Sequence, residues 1–444
     1  MTASPATSGL YRRIRPYLGN SLWILAERGL AALVGFVTTV IVARYLGPDE
    51  FGIFAYATSV AALFGIAGHL GLHGLVVRDI VQLAEQRPAT LGTATTLKAG
   101  GVLIGYVILL LYAGYYEGAG TPAFALIAIC GAALLFTPVD VIDYWFNAFL
   151  KARYVAVARG LARLVFLGGA VLLVVGRADL VYFGIPYLVQ AAVAAGLLLL
   201  LYRKTAEVRL TDWRFERGRA HDLLAQGGML FLSSFLAVIY LKIDQVMLRW
   251  LADPAEVGLY AVAARLSEAL YFMPAAIVAS VFPKLIELKE RDPERMNLRL
   301  QQLFDGLALL GLLVAVAITL AAPYLVALFF GEDYAGSSPI LVIHTWAAVF
   351  IFMRAALSRW ILIENVLRFS LLTQGLGALS NVVMNYMLIP RLGGEGAAWA
   401  TLVSYAIASF LAVFLYPRTR PVFWMMSRAL LAPVRYPLRW LRAR

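Results

Sequence analysis

Pro48-Asp49-Glu50-Phe51-Gly52-Ile53-Phe54-Ala55-Tyr56-Ala57 returns 206 residues later as Pro254-Ala255-Glu256-Val257-Gly258-Leu259-Tyr260-Ala261-Val262-Ala263. Pro, Glu, Gly and both Ala recur, with conservative changes between them. Proline cannot continue the helix before it, so Pro48 and Pro254 read as turns. Glu50 and Glu256 suit the first turn of the next helix, where the dipole favours a carboxylate. Gly52 and Gly258 permit close helix contact. Structure is the first reading of this motif and ligand contact the second.

Around the two copies the chain is a succession of apolar stretches. Crossing about 30 Å of hydrocarbon takes roughly 17–25 residues. Such stretches lie near 20–44, 50–77, 93–115, 122–147, 155–176, 180–202, 222–248, 256–282, 301–325, 338–360, 368–390 and 396–417. The fourth is the weakest, because Pro138 interrupts it and Asp140 and Asp143 follow. An even number of spans separates the motif copies, so the halves share one orientation. That is a parallel repeat about an axis along the membrane normal. The predicted fold is an all-α polytopic membrane protein: about 12 transmembrane helices in two six-helix bundles around a central cavity. Its parts are a tail 1–19, a lobe 20–202, a linker 203–221, a lobe 222–417 and a basic tail 418–444.

Composition agrees. Of 444 residues, 61% are hydrophobic and 14% charged, against about 45–50% and 25% in soluble domains. The single Cys130 excludes an internal disulfide or a cysteine-based zinc site. The basic start has no short apolar region before a cleavage site and reads as a mature cytoplasmic terminus rather than a secretory signal. Topology accounts for the net charge of +12 better than nucleic acid does. Loops on one side, with both tails, hold 29 Lys and Arg; the opposite loops hold only Arg44, Arg177, Arg249 and Arg391. This asymmetry places both termini in the cytoplasm.

Ala43-Arg44-Tyr45-Leu46-Gly47-Pro48-Asp49-Glu50-Phe51-Gly52-Ile53-Phe54-Ala55, with Gly393-Gly394-Glu395-Gly396-Ala397-Ala398-Trp399-Ala400-Thr401, resembles the oligosaccharide flippase (Wzx-type) family of the multidrug/oligosaccharidyl-lipid/polysaccharide exporter superfamily. The resemblance runs over roughly residues 15–417. It implies alternating-access movement of an undecaprenyl-pyrophosphate-linked oligosaccharide, a repeat unit of O-antigen, exopolysaccharide or capsule, to the outer leaflet of a bacterial inner membrane. It also implies lipid-linked sugar and membrane lipids as partners, with a polymerase and other pathway enzymes as further ones, and no nucleic acid.

Five basic residues remain inside apolar spans: Arg28, Arg163, Lys242, Arg265 and Arg354. A charge at the bilayer centre costs about 2.5–3.5 kcal/mol on insertion scales, so each needs a reason. Arginine grips a pyrophosphate through paired hydrogen bonds, and a cleft collecting these residues would suit that cargo. The plainer readings stay open. Arg265 and Glu268 stand at i, i+3 and suit an ion pair, and Lys242 and Arg354 suit snorkelling to an interface. Arg163 has no acidic residue one turn away. Glu27, Asp244 and Glu268 read first as structural or ion-pair groups, with coupling of a proton or Na⁺ to movement as the alternative. Asp140, Asp143 and Asp305 read as exposed near span ends. No other cofactor is implied.

His69 and His73 sit at i, i+4, a spacing zinc ligands also use, but without an acid within a turn they read as polar lining or packed rings. Tyr144, Trp145, Tyr271 and Phe272 read first as packing or interfacial-belt residues, with stacking on sugar rings as the alternative. The tail 418–444, basic and aromatic with Trp424 and Trp440, suits an anionic inner leaflet, and Pro433 and Pro437 forbid one continuous helix. Two other functions compete. A multidrug exporter of the same superfamily would favour an acidic cavity for cationic drugs. A membrane-embedded polysaccharide polymerase or transferase would call for a sizeable outer loop and a catalytic constellation; neither stands out, so the chain reads as a transporter rather than an enzyme.

Overall fold

A computed structural model describes residues 5–364 and 366–435. The first four residues and Trp440 and Pro437 of the expected inner-leaflet tail lie outside that range. The described residues are helices joined by short turns, without a strand. Ten helical segments among them are long and apolar enough to cross a membrane, so this is a multi-pass membrane protein. Each predicted span overlaps one of the ten, and Gly19–Gln82 and Phe369–Phe414 hold two predicted spans each.

Both long segments are broken where the sequence turns. In α1 (Pro5–Gly65) the chain is non-helical at Gly47, with φ 71° and ψ 172°. A residue with a Cβ resists that φ, and Pro48 then opens the second part with a φ already set for a helix. In α14 (Leu367–Ser409) the break is Gly393, with Pro390 just before it.

The chain forms two compact units. One comprises Met1–Val42 and Ala57–Phe235; the other comprises Ala43–Tyr56 and Leu236–Arg444. Their shared boundary falls inside α8 (Arg217–Leu251). This differs from lobes divided at residues 203–221 in two respects, each with a visible cause.

The first cause is the loop 203–221, which is bound to the first unit. Behind α2 (Leu72–Gln82) and α3 (Arg87–Ala113), Arg219 pairs with buried Asp79 at 2.7 Å and bonds to Thr90. The Glu216 amide donates to Thr93 Oγ1 at 3.0 Å, and the Trp213 indole to Tyr202 Oη at 3.1 Å. The second cause is the repeat motif. Residues 43–56 belong to the second unit, where Gly52 lies against the Pro254 carbonyl and the Gly258 amide, and Gly258 against the Pro48 carbonyl and the Gly52 amide. A Cβ on either glycine would enter backbone. The two copies thus pack reciprocally, and Arg44 Nη2 and Tyr334 Oη extend the seam through backbone carbonyls of Leu328 and Ala43, each at 2.8 Å. The other quoted motif joins it, since the Gly394 amide donates to Glu256 at 2.5 Å.

Membrane helices turn an apolar face outward as well as inward, because lipid tails are as apolar as leucine. On α3, Leu103, Ile104, Val107, Ile108 and Leu111 are exposed while Val102, Leu109 and Ala113 are buried. In the first unit the core gathers Val141, Ile142, Trp145, Phe146 and Tyr202. In the second it gathers Phe304, Phe352, Met353 and the inner face of α15 (Arg420–Leu430), namely Val422, Met426 and Ala429. Asp305, expected to be exposed, is 3% exposed beneath this tail helix, held by Arg435 and by Gln301, which also donates to the Met425 carbonyl.

Candidate functional site

The first unit holds a cavity of about 480 Å³ lined by charged side chains. Its walls come from four places. α1 supplies Glu27 and Arg28; α6 (Ala152–Val175) supplies Arg159; the segment through Asp140 and α5 (Val141–Ala148) supplies Asp140, Asp143, Tyr144 and Asn147. The fourth wall is a broken helix. α1 ends at Gly65, and Leu70 and Gly71 have φ of 48° and 65° before α2 begins. His69 and His73 therefore do not share one helical face at i, i+4, as their spacing suggested, yet both reach this cavity. Their role as polar lining rests on the fold around them and not on helix periodicity. Interrupted helices inside a membrane are tolerated where they line such cavities.

Arg159 organises the carboxylates, at 2.8 Å from Asp143 and 3.2 Å from Asp140, while Asn147 donates to Asp143 at 2.8 Å. Asp143 is 7% exposed, which corrects its placement at an exposed span end. Arg159 and Lys98, both counted as loop residues, lie in α6 and α3, and Lys98 is buried with its Nζ 3.2 Å from Tyr144 Oη. Sequence reading missed these two because each sits within about two or three turns of a helix start, where the apolar run has barely begun. The signal that would have found them is the pair Asp140 and Asp143, two carboxylates beside a span with no cation nearby in sequence.

The five intramembrane cations meet different fates. Arg28 lines the cavity with no carboxylate in ion-pair range among the described residues. Arg163 is 2.7 Å from Glu27, a close Coulomb contact although neither atom is aligned for a hydrogen bond. Its missing local partner is supplied from another helix. In the second unit Arg354 Nη1 donates to Thr373 Oγ1 and to the Ala408 carbonyl, each at 3.1 Å, so neutral groups hold it in place rather than an interface. Arg265, on α9 (Pro254–Glu268), is half-buried and feels Glu268, but the ion pair that their spacing allows is not formed among the described residues. Lys242 is half-buried on α8. Of the aromatics proposed for sugar stacking, Trp145 is 1% exposed and packs on Tyr202 and Phe149, which removes it. Tyr271 bonds to Ser267, and Phe272 is half exposed.

Asp244 forms the second polar centre. It is 3% exposed and accepts from Tyr260 Oη at 2.7 Å, Thr401 Oγ1 at 2.8 Å, Asn381 Nδ2 at 2.9 Å and Asn385 Nδ2 at 2.6 Å. No cation pairs with it among the described residues, and Asn385 Oδ1 is buried without a hydrogen-bond partner. Lys242, two residues away, does not neutralise it, as the opposite directions of the two positions on a helix require. Tyr260 and Thr401 come from the two motifs quoted at the outset, whose further use is to build this centre.

The family described as "Polysaccharide biosynthesis protein" matches residues 17–289. A "Probable flippase AglR" of Haloferax volcanii is 25% identical over 406 residues, covering 87% of this chain and 80% of that protein. A "Putative O-antigen transporter" of Shigella flexneri is 22% identical over 423 residues, covering 91% and 98%. Among solved structures, the lipid II flippase MurJ in an inward closed conformation superposes with a TM-score of 0.73 at 15% identity, over 94% of this chain and 92% of that one. An inward-facing multidrug resistance transporter of the MATE family gives 0.67 at 16%, over 90% and 96%. These likenesses establish the fold, and the match over more than half the sequence establishes the family: the chain belongs to the polysaccharide biosynthesis protein family.

Proposed function

We propose that this protein is a flippase that moves an undecaprenyl-pyrophosphate-linked oligosaccharide from the inner to the outer leaflet of a bacterial inner membrane by alternating access. The observation that carries the reading is the charged cavity of the first unit, lined by the cations Arg28 and Arg159 and the carboxylates Glu27, Asp140 and Asp143. Of the two lining cations, Arg159 is held by Asp140 and Asp143, so Arg28, with no carboxylate in ion-pair range among the described residues, is the one that meets an anionic head group. A diphosphate offers many acceptor oxygens, and charge-assisted bonds to them strengthen where water is partly excluded. Asp140, Asp143, Asn147 and the histidines supply donors and acceptors for sugar hydroxyls. The names of the relatives, a flippase and an O-antigen transporter, agree with this reading.

Asp244 is the coupling residue in this proposal. A buried carboxylate with only neutral donors keeps an uncompensated charge, which is costly. A proton or Na⁺ would neutralise it, and the unpartnered Asn385 Oδ1 with Thr401 Oγ1 supplies further oxygen to a cation. Hard cations of this kind take oxygen donors.

The test is a deletion strain whose surface polysaccharide and lipid-linked intermediates are both measured. Full repeat units accumulating on the carrier at the cytoplasmic leaflet, reversed by the wild-type gene, are expected. Normal polysaccharide with altered drug sensitivity would instead assign the chain to multidrug export.

A further inference from the structure

Lys98 is 1% exposed in the first unit, and the account above gives it no task. Its Nζ lies 3.2 Å from Tyr144 Oη and 5.4 Å from the centre of that ring. Asp140 and Asp143 are near enough to act on it through space, but both are in contact with Arg159, and neither forms an ion pair with Lys98 among the described residues. An ammonium has donors only, so Tyr144 Oη must accept from it. The phenol's own proton is then free for another acceptor, and among the described residues none takes it. Tyr144 lines the cavity, with its ring set edge-on to His73.

A methionine would fill the same volume as Lys98 without the cost of burying a charge. What the ammonium adds is direction: it fixes which way the phenol donates, and it polarises that O–H, since a hydrogen bond received strengthens the one given. We propose that Lys98 is a positioning residue that holds Tyr144 as a hydrogen-bond donor to an acceptor oxygen of the cargo in this cavity. The inference rests on the flippase reading. The oxygen belongs either to the diphosphate or to the first sugar, and the test separates the two.

Full-length protein in lipid nanodiscs is titrated with undecaprenyl diphosphate and with the same carrier bearing one N-acetylglucosamine, and binding is read by native mass spectrometry. Lys98→Met and Tyr144→Phe should each weaken binding about five- to tenfold, the loss of one hydrogen bond. The double variant should bind no more weakly than Tyr144→Phe alone, because the two act as a unit. Lys98→Arg, which keeps the donor, should stay close to wild type. Loss with both probes puts the oxygen on the diphosphate; loss only with the sugar-bearing probe puts it on the sugar. Wild-type binding by folded Lys98→Met, or fully additive losses, would overturn the proposal. Should Lys98→Met fail to fold, near-isosteric Tyr144→Phe decides, and wild-type affinity in that variant overturns it equally. A wild-type protein that binds neither probe defeats the flippase reading, and this inference with it.

Discussion

Glu27 and Arg28 are neighbours in sequence, but their roughly 100° separation on a helix sends them to different work. Glu27 meets Arg163, whereas Arg28 lines the cavity wall with no ion-pair partner among the described residues. Breaking a largely buried ion pair by removing one partner costs about 3 kcal/mol, chiefly because the other charge is stranded. Arg163→Ala should therefore lower the melting temperature of detergent-purified protein by several degrees, and Glu27→Gln in the same chain should restore much of it. Arg28→Ala should leave the melting temperature nearly unchanged while reducing transport severalfold in a polysaccharide complementation assay. If both arginines behaved alike in both measurements, the division between them would be wrong. Asp244→Asn removes the one charge at the second polar centre and keeps its shape. Transport by that variant should no longer respond to an imposed Na⁺ or proton gradient, although the protein folds. A response equal to wild type would take coupling away from Asp244.

At the scale of elements, the glycines of the repeat and the loop before α8 carry the argument. Neither Gly52 nor Gly258 has room for a methyl group, because the obstruction is backbone and cannot rotate away. Gly52→Ala and Gly258→Ala should each cut folded yield sharply, measured by fluorescence-detected size-exclusion chromatography; overpacking typically costs about 1–3 kcal/mol. Gly228, with nothing near its ideal Cβ, provides the control and should accept alanine at little cost. The loop 203–221 is held by Arg219, which reaches Asp79 and Thr90. Arg219→Ala should expose residues 206–216 to limited proteolysis; an unchanged cleavage pattern would show that the remaining contacts through Trp213 and Glu216 suffice.

At the scale of the molecule, the expected orientation rests on the 29-to-four distribution of basic residues. Cys130 is the sole cysteine and is buried, so its replacement by alanine gives a clean background for accessibility labelling. Single cysteines at position 212 and at position 333 should react with membrane-impermeant maleimide from opposite sides, the first from the cytoplasm. Reaction from the same side would refute the arrangement. The asymmetry survives the finding that Lys98 and Arg159 are helix residues, since both lie toward the basic ends of their helices.

By itself the sequence determined that the chain is helical and crosses a membrane repeatedly, that a ten-residue motif recurs 206 residues on, and that several spans carry a bare charge. Each of these follows from local physics: apolar run length, turn residues, and the cost of a bare charge in lipid. It placed Arg163 and Arg354 as residues without local partners, and that observation stands. Only the tertiary structure decided which charges meet. Glu27 with Arg163, Arg159 with two aspartates, Lys98 behind Tyr144 and Asp244 among four neutral donors are all contacts between different helices. A one-dimensional pattern tells which face of a helix a residue occupies, but not which other helix that face will touch. The broken backbone at residues 66–71, which takes His69 and His73 off a common helical face, was illegible for the same reason. It is compensated by packing against neighbours, and neighbours are what a sequence read on its own does not supply.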